Sequence, residues 1–152
     1  RPSIVFGPTV DNYLLRLWTQ QPFQAHFGLP DPGIQFVHED DVVDAITVLL
    51  DGRHGGAFNV AGDGTMTLRE CADMIGVRRQ RVPRRAYTRF VAAMWRLGAA
   101  EAPPGALQYS MYPWIVSNDK LKRETGWQPR HTTRDTFIET MRAHGKVDDA
   151  SA

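Results

Sequence analysis

The sequence predicts an α/β fold, and three observations carry that prediction. Short runs rich in β-branched and aromatic residues alternate with segments whose apolar residues recur at helical spacing. Glycine and proline stand at the junctions between them. Side chains suited to capping a helix stand where several of the helical segments begin.

Each element follows from its residues. Ile4, Val5 and Phe6 make a strand that Gly7 and Pro8 stop. Tyr13, Leu14, Leu17 and Trp18 fall at helical spacing, so Asn12 to Gln20 is expected to be a helix. The proline- and glycine-rich residues 22–33 read as loop or short edge strand, and Ile34 to His38 as a short strand. From Glu39 the period changes: Val42, Val43, Ile46, Leu49 and Leu50 share one helical face. Glu39, Asp40 and Asp41 sit at the positive end of that helix dipole. Gly52 or the Gly55–Gly56 pair ends it, and Ala57 to Ala61 reads as the next strand.

Thr67 and Glu70 form a capping box for a helix that Gly76 closes. Val77 to Pro83 reads as a strand. Tyr87 to Gly98 is expected to be a helix with Phe90, Val91, Met94, Trp95 and Leu97 largely on one side. Ala99 to Gln108 is linker-like. A short helix capped by Ser117 ends at Gly126, and the last helix is capped by Thr132 or Thr133. The polar tail at 144–152 is expected to fray.

Composition excludes several classes. The chain is 42% apolar and 23% charged with a net charge of +1, ordinary for a globular domain and without a global pull toward nucleic acid or membrane. No run approaches the length of a membrane span and no secretory leader is visible. The single cysteine, Cys71, leaves no internal disulfide and fits a cytoplasmic location. The chain opens on a strand without methionine, and buried parallel strands need neighbours on both sides. The later portion of a longer protein is therefore expected, a processed form being the alternative.

Gly62-x-Gly64 between a strand and a helix resembles the start of a phosphate-binding turn. The third glycine would fall at position 67, which holds Thr67, and arginines stand where a ribose-binding acid belongs. Asp63 would repel a phosphate. The pair reads as a structural turn, with a ligand contact as the alternative. The five histidines (His26, His38, His54, His131, His144) have no metal-binding spacing, and Cys71 has no partner cysteine, so no metal is expected. Cys71 shares a helix face with Leu68 and Ile75 and reads as a buried thiol.

His38 stands where a strand ends and an acidic helix begins, a place where ligands collect in α/β folds. A histidine that bonds Asp41 or the helix end is the alternative. Arg78, Arg79, Arg81, Arg84, Arg85 and Arg89 crowd one stretch and either grip phosphates or form a solvated face. Trp127 and Pro129 read as an anchor for the loop before the last helix.

Four segments in order, RPSIVFGP, IQFVHEDDVVDAITVLLDG, AFNVAGDGTMTLRECADMIG and DKLKRETGWQPRHTTRDTF, resemble NAD(P)-dependent epimerases and dehydratases. These are the extended short-chain dehydrogenase/reductase family. The resemblance implies the C-terminal part of a Rossmann-like enzyme. Residues 1–143 would be the substrate-binding lobe with the last strands of the main sheet, 144–152 the tail, and the N-terminal cofactor-binding part would be absent. In the family that part carries a glycine fingerprint and a Tyr-x-x-x-Lys pair, the tyrosine acting as acid and base and the lysine lowering its pKa.

By similarity, Pro2, Ser3 and Ile4 would lie beside the nicotinamide of NAD or NADP. Asn12, Tyr13, Gln35, Phe36 and His38 would line or border the substrate pocket. Neither Tyr13, Tyr87, Tyr109 nor Tyr112 has a lysine four residues on, so no catalytic residue is expected in this chain. It is not expected to hold NAD(P) tightly or to act alone. Family members acting on nucleotide sugars often carry arginine where Ile34 stands, which weakens the case for a diphosphate substrate.

Two functional classes follow. The first is the substrate-binding part of an enzyme acting on a sugar, possibly nucleotide-linked, or another hydroxyl or carbonyl compound. Its partners would be a small-molecule substrate and the missing N-terminal part. The second is a non-catalytic nucleic-acid-binding or regulatory module using Arg78 to Arg89. A third reading is a bare folding unit whose open first strand favours self-association, a homodimer included.

Overall fold

In a computed structural model, residues 1–147 are described. In chain order the elements are β1 (Ile4–Phe6), α1 (Tyr13–Thr19), β2 (Gln24–His26), β3 (Gly33–Ile34), β4 (Phe36–His38), α2 (Glu39–Asp51), β5 (Met66–Thr67), α3 (Leu68–Met74), β6 (Arg79–Arg81), α4 (Arg84–Arg96), a 3-10 helix over Pro104–Ser110, α5 (Asp119–Thr125) and α6 (Thr133–Ala143). β1 and β4 run parallel, with Ile4 opposite Phe36 and Phe6 opposite His38.

Side chains alternate across this pair. Ile4, Phe6 and Phe36 enter one core with Leu15, Trp18, Cys71 and Phe137. Val37, with Val5 packed against it, enters a second core with Ala45, Phe58, Leu121 and Trp127. Both faces are thus covered, which the unbroken apolar runs require. The rings of Phe6 and Phe36 stack at 4.6 Å, and those of Phe36 and Phe137 at 5.4 Å. β2 pairs parallel with β6 and β3 antiparallel with β5, so the fold is the α/β class that the alternating pattern predicts. Among the described residues no helix is long and apolar enough to cross a membrane.

The structure corrects several elements. Ile34 to His38 is two strands, because Ile34 pairs with Met66 while Phe36 pairs with Ile4. Between them the buried Gln35 amide donates to the Gly62 carbonyl at 2.9 Å and accepts from the Val116 N–H at 3.0 Å. A buried amide requires such partners, and meeting them turns the chain from one ladder to the next. Ala57 to Ala61 is not a strand. Val60 makes one bridge, to Pro2, because only Arg1 to Ser3 run alongside it.

On α2 the buried residues are Asp41 and Ala45, with Val42, Val48 and Leu49 against the second core. Val43, Ile46 and Leu50 of the expected stripe are exposed. On α1 the buried residues are Leu15 and Trp18, while Leu17 is left 40% exposed. The linker-like stretch holds the 3-10 helix, opened by Pro104.

Local signals held where they depend on neighbours in sequence. Both Thr67–Glu70 and Thr132–Asp135 form complete capping boxes. Gly76 and Gly126 adopt φ of 65° and 73° just beyond their helices, a conformation that glycine takes freely. Ser117 is not the cap of α5: that place falls to Asn118, without a side-chain hydrogen bond, while the Asp119 N–H donates to Ser117 Oγ at 3.1 Å. Trp127 is buried in the second core, as an anchor should be. The polar tail lies mostly outside the described residues.

Candidate substrate cleft

The glycine turn is a joint between segments of the fold. A Cβ at Gly62 would come within 2.7 Å of the Phe36 carbonyl and 3.0 Å of the His131 carbonyl, so the backbones meet there only through glycine. Asp63 accepts Lys122 Nζ at 2.6 and 2.7 Å and Asn118 Nδ2 at 3.0 Å. Its backbone carbonyl accepts the Thr133 N–H at 2.8 Å. Burial works against its ionisation, yet the Lys122 and Asn118 hydrogen bonds outweigh it and hold the carboxyl below its usual range. The turn therefore ties α5 and α6 to the strand ends.

His38 caps α2: its Nδ1 accepts the Asp40 N–H at 3.1 Å. Its neutral proton consequently sits on Nε2, buried, without a hydrogen-bond partner and 3.5 Å from Glu139 Oε2. The ring stacks on His131 at 4.0 Å. His131 Nδ1 lies 3.1 Å from Asp41 Oδ2, a carboxylate that can only accept, so this nitrogen carries the proton. Donor atoms of His38, His131 and Glu139 come within 4.8 Å of one another, a grouping that linear spacing did not reveal. A cation at His38 Nε2 would need that proton moved to Nδ1, against the Asp40 N–H, so ligation would cost the helix its cap.

The cleft lies elsewhere. It has a volume of about 410 Å³, within the range of small-molecule sites, and is walled by α1, β2, α4 and the 3-10 helix. The apolar side of α4, with Tyr87, Phe90, Val91 and Met94 at helical spacing, lines it, and no residue of α4 is buried. Phe27 and Tyr87 stand 6.0 Å apart, and Tyr109 stacks on Trp114 at 4.2 Å and 2°. Ile4, Ile34 and Leu68 line the cleft from the core side. Tyr13 lines it as well. Burial and the Glu101 carboxylate raise the Tyr13 pKa, and burial raises that of Tyr87.

Of the residues that the sequence singled out, Tyr13 and Ile4 line this cleft. Asn12 is the cap of α1, accepting the Leu15 N–H and donating to the Val5 carbonyl. Gln35 joins two backbones, Phe36 fills the core and His38 caps α2. Pro2 bridges Val60, and the Ser3 N–H donates to the Val60 carbonyl at 2.9 Å. Sequence reading missed the aromatic wall of Phe27, Tyr109 and Trp114. A signal was present on α4, whose apolar side has no core to enter.

The arginine run is not one grip. Arg79 is held by Asp31 and Gln24, Arg81 lies against Gly28, and Arg84, Arg85 and Arg89 are exposed along α4. A nucleic-acid module is not favoured.

No family model matches the chain. Uncharacterized proteins of Mycobacterium tuberculosis and Mycobacterium bovis are each 25% identical over 95% of it, and the chain spans 38% of their length. Solved structures share its fold. The Bordetella bronchiseptica enzyme WbmG, solved with NAD and UDP, superposes with TM-score 0.62 at 18% identity, over 96% of this chain and 42% of that one. The dTDP-glucose 4,6-dehydratase of Bacillus anthracis, solved with NAD, gives 0.59 at 18% identity, over 99% and 44%. The ADP-L-glycero-D-manno-heptose-6-epimerase of Helicobacter pylori gives 0.62 at 10% identity, over 97% and 43%. The fold is that of part of Rossmann-like epimerase and dehydratase structures, and the chain spans under half of each of these three.

Proposed function

We propose that this chain is the substrate-binding, C-terminal part of an NAD(P)-dependent epimerase, dehydratase or reductase. Its substrate is a sugar, free or nucleotide-linked, or another hydroxyl or carbonyl compound. The observation that carries the reading is the cleft, lined by Ile4 at the start of β1, in a fold shared with enzymes solved with NAD or NADPH. On this reading residues 1–143 form the substrate lobe, and the natural polypeptide carries a glycine fingerprint and a Tyr-x-x-x-Lys pair ahead of Arg1.

Ser3 offers a fit for the cofactor. Its Oγ is buried without a hydrogen-bond partner among the described residues, so it retains capacity for a polar group of NAD(P) beside Pro2 and Ile4. Bound there, the cofactor supplies hydride exchange. The residues of this chain bind and orient the substrate, with the neutral Tyr13 phenol available as a hydrogen-bond donor.

The test uses the natural polypeptide that contains this chain. Mixed with NAD⁺ or NADP⁺ and a panel of nucleotide sugars, free sugars and simple alcohols, it should reduce the nicotinamide or convert one of the compounds. Tyr13→Ala should raise KM several-fold while leaving the circular dichroism unchanged. A polypeptide without fingerprint or Tyr-x-x-x-Lys, and without nicotinamide-dependent turnover, ends the reading.

A further inference from the structure

The cleft wall supplied by this chain has an unusual balance. Among the described residues, eight that line it are aromatic and the only charged ones are Arg16 and Glu101. These two are already paired, Arg16 Nε to Glu101 Oε2 at 3.2 Å, and Arg16 Nη1 is taken by Asp11 Oδ1 at 2.7 Å. The pair contributes no net charge to the wall. A doubly charged diphosphate would meet an Arg16 whose charge two carboxylates already offset and would lie beside those carboxylates, bringing like charges together in a half-enclosed, apolar place. At the core side of the same cleft stands Ile34, 5% exposed.

The rest of the wall is suited to something else. Tyr87 and Phe90 offer rings from α4, and the stacked Tyr109–Trp114 pair offers a flat face. The apolar side of α4 gains burial when a hydrocarbon surface fills the cleft. Tyr13 and Tyr87 carry neutral phenols, whose pKa burial raises further, and such a group can donate a hydrogen bond to a hydroxyl or carbonyl without demanding charge.

Resting on the reading proposed above, we infer that the cleft takes an uncharged hydroxyl or carbonyl compound with a flat or hydrocarbon body, and not a nucleoside diphosphate. The ring or hydrocarbon lies against Tyr87, Phe90, Tyr109 and Trp114. Its few oxygens meet Tyr13 and the neighbouring neutral groups.

The experiment is calorimetric titration of the natural polypeptide with 2-acetylnaphthalene, a neutral aryl ketone, and separately with UDP. The ketone should bind about tenfold or more tightly than UDP. Phe90→Asp, at a position 58% exposed and so compatible with folding, should weaken ketone binding by about tenfold, and Tyr109→Ala should weaken it as well. Equal or tighter binding of UDP, absence of ketone binding, or ketone affinity unchanged in both variants overturns the inference. Ketone preference without nicotinamide-dependent turnover leaves the cleft chemistry standing and removes the enzyme reading. Turnover of UDP-sugars that Phe90→Asp leaves intact does the reverse.

Discussion

Asp41 holds the backbone of His131 from ninety positions away: its Oδ2 accepts the His131 N–H at 3.1 Å, and its Oδ1 accepts the Arg130 N–H at 2.9 Å. The carboxylate is 0% exposed, and among the described residues these bonds and the His131 ring solvate it. This one side chain joins the first turn of α2 to the approach to α6. It also explains the rotation of α2: the helix turns Asp41 and Ala45 inward and leaves Val43, Ile46 and Leu50 outside.

Asp41→Ala strands two backbone donors and the His131 ring nitrogen in a water-poor place. The expected loss is about 3 kcal/mol, with Asp41→Asn, which keeps one acceptor, losing less. Chemical denaturation of the three proteins checks the order. Equal midpoints for Asp41→Ala and the parent would contradict it.

The Gly62 joint makes a steric prediction. Gly62→Ala presses a methyl onto two backbone carbonyls, of Phe36 and His131, and should destabilise by about 1–3 kcal/mol. Gly64→Ala meets open space, but its φ of 75° costs about 1–2 kcal/mol for an L residue. Gly105→Ala, in open space with no such φ, should fall within about 0.5 kcal/mol of the parent. Thermal melts of the three variants rank them.

Asp63 makes stability depend on acid. Its folded pKa lies below the ordinary 3.8, so the folded state binds this proton more weakly than the unfolded chain. The contribution is therefore complete above 3.8 and disappears as pH falls through the lower folded value. Its side chain is half exposed, which limits the ion pair with Lys122 to about 1 kcal/mol or less. Asp63→Asn should melt below the parent at neutral pH and converge with it in acid. A gap that widens in acid has the wrong sign.

Cys71 should be silent in the native state. It is 0% exposed, and burial, with Glu70 adding, pushes its thiol far above the ordinary range. A colorimetric disulfide-exchange reagent should react only as fast as the protein unfolds, with full reaction in denaturant. Rapid labelling under native conditions would show that the first core opens.

Much of this was legible in the residues. Thr67 with Glu70 and the glycines at 76 and 126 act through partners a few positions away, so sequence neighbours were enough to place them; for the last helix they narrowed the cap to Thr132 or Thr133, and the structure chose Thr132 with Asp135. Cys71 beside Leu68 and Ile75 was readable for the same reason. Tyr13 was named for the pocket and lines the cleft; Asn12, Gln35, Phe36 and His38 are engaged in capping, bridging and packing.

Sequence alone therefore determined the α/β plan and the Thr67–Glu70 cap of α3, because these follow from backbone periodicity and short-range hydrogen bonds. Tertiary structure decided which face is covered. It broke Ile34 to His38 at Gln35, rotated α2 about Asp41, stacked His38 on His131, and left the apolar side of α4 lining a cleft. Periodicity marks a stripe of apolar residues but carries no record of what lies against it, and that is set by contacts between segments far apart in the chain.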